Sequence, residues 1–118
     1  MLTIILCGRE SASSFVTDSA AGATAYSCGQ KTYNYGIAVD AGGIPCATLL
    51  EAAKAAGMAT GVAVTSDVTD ATPASFSTHA TLRQFTDNIA EQFASNRNVD
   101  VIFGGGRKHF DKDIRRDR

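Results

Sequence analysis

Two short apolar runs decide most of what this chain can fold into. Met58 to Thr65 and Val99 to Phe103 are each the length of a strand, and each follows a stretch with helical spacing. Ahead of the first, residues 47–56 read ATLLEAAKAA, with Pro45 before them and Gly57 where a left-handed C-cap belongs. Ahead of the second, Gln84 to Ser95 carries Phe85, Ile89 and Phe93 at spacings of four, the apolar stripe of an amphipathic helix. Between them, Thr72-Pro73 reads as an N-cap followed by proline at the first helical position, opening a short helix through His79. The order helix, strand, helix, strand predicts an α/β architecture with parallel neighbouring strands, the first of them buried.

Small residues carry much of the apolar share. Leu, Ile, Val and Phe together number 25 of 118, whereas Ala supplies 19 residues and Gly 11. Small side chains bury little area each, so the chain is expected to form one small domain's worth of a larger core, with sheet edges that other parts would cover. A net charge of −1 offers no basic surface for nucleic acid or an anionic membrane. The opening Met1 to Cys7 is apolar but too short to span a bilayer, and it lacks the basic flank of a signal peptide; a strand over residues 1–6 is expected. Cys7, Cys28 and Cys46 show no metal-ligand spacing and are odd in number, which favours buried or free thiols.

The chemistry-bearing residues fall in two segments. Thr17-Asp18-Ser19 leads into AAGATAYS, so Ser19 sits at the N-terminus of an expected helix that Gly29 stops. Backbone N–H groups and the helix dipole make that position an anion site, where Ser19 serves as N-cap, nucleophile or both. No histidine lies near Ser19 in sequence, and metal activation is an alternative to a Ser–His pair. Downstream, Thr69-Asp70-Ala71-Thr72 places a carboxylate and a hydroxyl two residues apart at the C-terminal end of the first strand. Hard oxygens there suit Mg²⁺, and an Asx turn leading into a helix accounts for the same residues. Arg83 carries a planar fork suited to phosphate oxygens, although nothing local distinguishes it. Residues 30–45 should be mostly loop, and Gly104-Gly105-Gly106 a turn. His79 and His109 lack partners at ligand spacing and suit structural or surface roles.

Taken together, these segments resemble one family. Residues 16–25 (VTDSAAGATA) are similar to the nucleophile signature of the alkaline phosphatases, and the resemblance continues through Lys31 to Asn34, Leu50 to Gly57, Thr69 to Phe76 with His79 and Arg83, and Gly104 to Arg107. It is nearest the fungal vacuolar type. It covers residues 13–110, so that 13–118 reads as part of an alkaline phosphatase catalytic domain and 1–12 as an N-terminal extension unlike the family. The implied fold is a fragment of a three-layer α/β structure with a largely parallel central sheet.

The resemblance implies phosphate monoester hydrolysis through a phosphoserine on Ser19. Arg83 matches the arginine that holds two substrate oxygens, Asp18 the acid that orients it, and Ala20 the residue whose N–H meets the phosphate. Thr72 and Asp70 match ligands of one Mg²⁺, and aspartate at position 70 resembles the magnesium-preferring pattern. Two Zn²⁺ are implied as well, one facing Ser19, but most of the family's zinc ligands have no counterpart here. The chain alone is therefore expected to turn over poorly; the alternative is an inactive truncated remnant that at most binds phosphate or another chain. Full enzymes of the family commonly form homodimers and reside in periplasm, vacuole or at the cell surface.

Overall fold

The computed structural model describes residues 10–111, and the expected strand at 1–6, Cys7 and the charged tail from Lys112 lie outside them. Helix α1 spans Ser19–Cys28 and α2 spans Leu49–Ala55. Strand β1 follows at Gly61–Asp67, then α3 at Ala71–Ser77, α4 at Thr86–Ser95 and β2 at Val101–Gly105. A single 3-10 turn, Arg107–His109, follows β2. The two strands pair in parallel, with Gly61 opposite Val101, Val62 opposite Ile102 and Ala63 opposite Phe103, before an irregularity brings Asp67 opposite Gly105. The helix–strand alternation predicted this pairing.

Helix boundaries follow their caps. Asp18, not Ser19, caps α1: its backbone is extended and its carboxylate accepts from the Ala21 N–H, which leaves Ser19 as the first helical residue. At the other end Gly29 takes φ 70° and donates to the Ala25 carbonyl. Thr48 and Glu51 form a reciprocal capping box, so α2 starts at Leu49, two residues later than predicted. Its end is a Schellman turn, with Gly57 N–H bonded to Lys54 O and Met58 N–H to Ala53 O. That bond holds Met58 at the helix end, and β1 accordingly begins three residues after the predicted start.

The reading of Thr72 as N-cap is corrected. Asp70 occupies that position in extended backbone, and Pro73 is the third helical residue. Proline is tolerated there because the first four N–H groups of a helix have no intrahelical acceptor. The helix stops at Ser77, where Thr78 turns extended, rather than at His79.

The core is small and alanine-rich. Ala20 of α1, Ala71 and Ala74 of α3, Ile37 and Ala80 of the loops, Val62 of β1, and Ile89 and Phe93 of α4 form its centre. Phe85, predicted on the same stripe as Ile89 and Phe93, is exposed because it sits at the non-helical residue before α4. The loop 30–45 is not merely a connection. Ile37, Ala38 and Val39 are buried, and Ile37 forms an antiparallel bridge with Ala80. That loop also brings Cys28, the last residue of α1, against Cys46, and the two form a disulfide. The expectation of free thiols is thereby corrected for this pair.

Burial of β1 is likewise corrected. Within this chain Val62 is buried, while Ala63, Thr65 and Ser66 are exposed, and all five residues of β2 are exposed, Phe103 at 68%. A sheet only two strands wide cannot cover its own edges, and the helices cover part of one face.

Gly104 and Gly105 belong to β2, not to a turn, and they are there for close approach. A Cβ on Gly104 would lie 2.5 Å from Val68 Cγ1. The turn itself is at Gly106, with φ 95°.

Candidate functional site

The site is assembled where α1 begins. Asp18 does three things there: Oδ1 accepts from Ala21 N at 2.9 Å, while Oδ2 accepts from Tyr35 N at 3.2 Å and faces Arg83 Nη1 at 3.4 Å. One carboxylate thus ties the helix cap to the loop and to the arginine. Ser19, exposed at the first helical position, receives the Arg83 guanidinium directly, with Nη1 2.6 Å from Oγ. Ala20 follows at the second helical position, buried against the core.

Arg83 reaches this corner from 64 residues away. Ala80 exchanges both backbone hydrogen bonds with Ile37, at 2.9 and 3.0 Å, and Arg83 N–H donates to Tyr35 O at 2.8 Å. The turn that carries the arginine is therefore laid along the Tyr35–Ile37 strip. Asn34 adds a second tie, accepting from Asp18 N at 3.3 Å and donating to Val16 O at 2.9 Å. Asn34 and Tyr35 were not singled out as site residues in the sequence; their proximity depends on the loop's path.

Thr72 joins Thr17, Asp18 and Ser19 in lining one cleft of about 380 Å³. Asp70 does not line it. Its exposed carboxylate makes no capping bond to α3, and its backbone N–H bonds to Asp67 O. The carboxylate of Asp70 and the hydroxyl of Thr72 are hard oxygen donors, a set that suits Mg²⁺ with waters completing its shell. Zinc is a different case. Among the described residues no three His, Cys, Asp or Glu side chains gather closely enough to hold a metal ion. The described residues therefore offer two hard oxygen donors of the kind Mg²⁺ takes and do not fit a zinc site.

Both histidines are engaged within the fold. His109 is buried at the end of the 3-10 turn, with Nε2 3.4 Å from Asp67 Oδ2 and Nδ1 3.5 Å from Asp87 Oδ1. Lys108 Nζ lies 3.2 Å from the same Asp67 oxygen. The hydrogen bond from Lys108 is the main cause holding the Asp67 carboxyl below its usual range; partial burial opposes it, and the imidazole adds to it. His79 meets Glu51 Oε1 at 3.0 Å and Ala38 O at 2.8 Å. Burial pushes the Glu51 carboxyl up, but bonds from Thr48 N and His79 outweigh it and leave the carboxyl below its ordinary value. Sequence reasoning missed both clusters, since the side chains that meet across them lie 22 to 42 residues apart.

The family profile for alkaline phosphatase matches residues 6–118. The alkaline phosphatase of Schizosaccharomyces pombe is 58% identical over 100 residues, which cover 81% of this chain and 19% of that protein. The repressible alkaline phosphatase of Saccharomyces cerevisiae is 54% identical over 104 residues, 85% of this chain and 18% of that protein. The chain thus spans about a fifth of the length of these relatives. In three dimensions, a mutant of the TAB5 alkaline phosphatase, solved with Mg bound in its M3 site, superimposes with a TM-score of 0.83 at 43% identity, covering 88% of this chain and 30% of that one. The fold is therefore a fragment of the alkaline phosphatase fold, and the chain belongs to the alkaline phosphatase family.

Proposed function

We propose that this chain carries the nucleophile and phosphate grip of a phosphate monoester hydrolase working through a phosphoserine on Ser19. The observation that carries the reading is the 2.6 Å contact of Arg83 Nη1 with Ser19 Oγ, braced by Asp18 at a helix N-terminus. A guanidinium at that distance can bind two oxygens of a phosphoryl group and neutralise charge that develops on it. The helix dipole and the Ala20 N–H add a second positive pole on the same side. Asp18 sets the orientation of the fork, because its carboxylate is itself fixed by Ala21 and Tyr35. Asp70 and Thr72 would hold Mg²⁺, which when bound would supply positive charge. Small phosphomonoesters are the proposed substrates.

The test is a chimera. Residues 10–111 replace the matching segment of the Schizosaccharomyces pombe relative, and phosphomonoesterase activity is assayed. Activity that disappears in Ser19→Ala and falls steeply in Arg83→Ala is expected. A folded chimera whose activity survives Ser19→Ala overturns the reading.

A second reading has its own observation. Because the described residues gather no three-ligand metal group, the 118-residue chain by itself would bind phosphate without turning it over. An assay of the purified chain with zinc and magnesium added tests it: absence of turnover is expected, and robust Ser19-dependent turnover overturns this second reading.

A further inference from the structure

His79 stands four residues before Arg83 and makes more directed contacts than a packing residue needs. Its ring joins two elements: Nδ1 lies 2.8 Å from Ala38 O, and Nε2 lies 3.0 Å from Glu51 Oε1 on α2. A carbonyl oxygen only accepts, so Nδ1 is the donor to Ala38. Its main chain is held by a third element. Gln92 of α4 accepts from His79 N at 2.8 Å and donates to His79 O at 2.7 Å.

What these contacts hold is a strip of backbone under strain. Tyr35 has φ 75° and Ala38 has φ 44°, and these are the two non-glycine residues of positive φ among those described. Side chains disfavour that region, and it persists where surrounding contacts over-determine it. The contacts are present at both ends of the strip. Ala38 N donates to Thr24 Oγ1 at 2.9 Å and its carbonyl is bound by His79. Tyr35 N donates to Asp18, and Tyr35 O accepts from Arg83 N. Between these ends lies the Ile37–Ala80 bridge.

We infer that His79, oriented by Glu51, is a positioning residue for Arg83: it locks the Ala38 peptide and the strained Tyr35–Val39 strip, against which the turn to Arg83 is laid, and so sets the guanidinium against Ser19. This rests on the reading of Arg83 as the phosphate grip. It assigns His79 neither metal nor proton transfer.

The test uses the isotopically labelled 118-residue chain, with amide hydrogen exchange at Ala80 and Arg83 as one readout and inorganic phosphate titration followed at the Ala20 and Ala21 amides as the other. The variants are His79→Ala and the milder Glu51→Gln, which keeps an acceptor for the Thr48 cap; Ile89→Val serves as a control that lowers stability through the shared core without removing any of these hydrogen bonds. Both network variants should lose protection at Arg83 selectively and weaken phosphate binding, His79→Ala by about tenfold, the scale of one charge-assisted hydrogen bond. Ile89→Val should lower protection across the chain and leave phosphate affinity unchanged. If His79→Ala fails to fold, Glu51→Gln decides. Wild-type protection at Arg83 in the folded variants, or losses that merely parallel Ile89→Val, would overturn the inference. Phosphate binding that survives Arg83→Ala would instead overturn the grip itself, and exchange at the Arg83 amide then decides the role of His79 on its own.

Discussion

The corner around Ser19 and the β1–β2 sheet are built from the same chain by opposite means. At the corner, Asp18, Asn34, Tyr35, Arg83 and the Ile37–Ala80 bridge tie α1, a loop and a turn with directed hydrogen bonds, and the residues beneath them are buried. The sheet has two strands, its irregular end is fixed by ion pairs at Asp67, and it exposes Val101, Ile102 and Phe103. The proposed phosphate grip is thus contained locally, whereas the sheet's apolar surface is left without cover from the described residues. The site is the self-contained part and the scaffold is the dependent part.

The largest expected effect tests the core that both regions share. Ile89 is fully buried between α4 and the rest of the centre, and Ile89→Ala should cost about 2–5 kcal/mol by urea denaturation. Reduction of the Cys28–Cys46 disulfide, which closes a separation of 18 residues behind the corner, should cost about 3 kcal/mol. If reduction left stability unchanged, the loop's buried residues alone would be enough to hold it. Asp18→Ala removes the α1 cap, worth about 1 kcal/mol, and should loosen Arg83 as well, seen as weaker phosphate binding.

How far these features could be read from the sequence differs between the two regions for physical reasons. Caps and periodicity are local, so Gly29, Gly57 and the stripe at Ile89 and Phe93 located the helices, and the alternation of elements predicted the parallel pair. Asp18 and Ser19 are both good caps, and only the carboxylate's reach to Ala21 decides between them. At Asp70 and Thr72 it is the extended backbone of Asp70 that decides, since its carboxylate makes no capping bond. The Glu51–His79 contact and the Cys28–Cys46 bond depend on the path of loop 30–45, which no local pattern encodes. Arg83 became legible only through the resemblance, because its partners lie at the other end of the chain.

The sheet should respond least to substitution. Phe103→Lys removes an exposed ring, so stability should change by less than about 0.5 kcal/mol, while concentration-dependent self-association by light scattering should fall. A large loss of stability would show that Phe103 is packed in solution, and the contrast between the regions would fail. The acid response is the finest test. Asp67, Asp100 and Glu51 are all held below their ordinary carboxyl ranges, so the folded state binds fewer protons than the unfolded one. Their contribution is present above the unfolded carboxylate values of about 4 and is lost as pH falls through the lower folded values. Urea midpoints should therefore decline on acidification, and Lys108→Ala should reduce that decline slightly by removing the principal partner of Asp67.

The most direct measurement is a titration of the 118-residue chain with inorganic phosphate, followed at the backbone amides of Ser19, Ala20 and Ala21. A preformed grip predicts saturable shifts at these amides that vanish in Arg83→Ala while the rest of the spectrum is retained. Shifts that are absent in the wild-type chain, or that persist unchanged in Arg83→Ala, would contradict it.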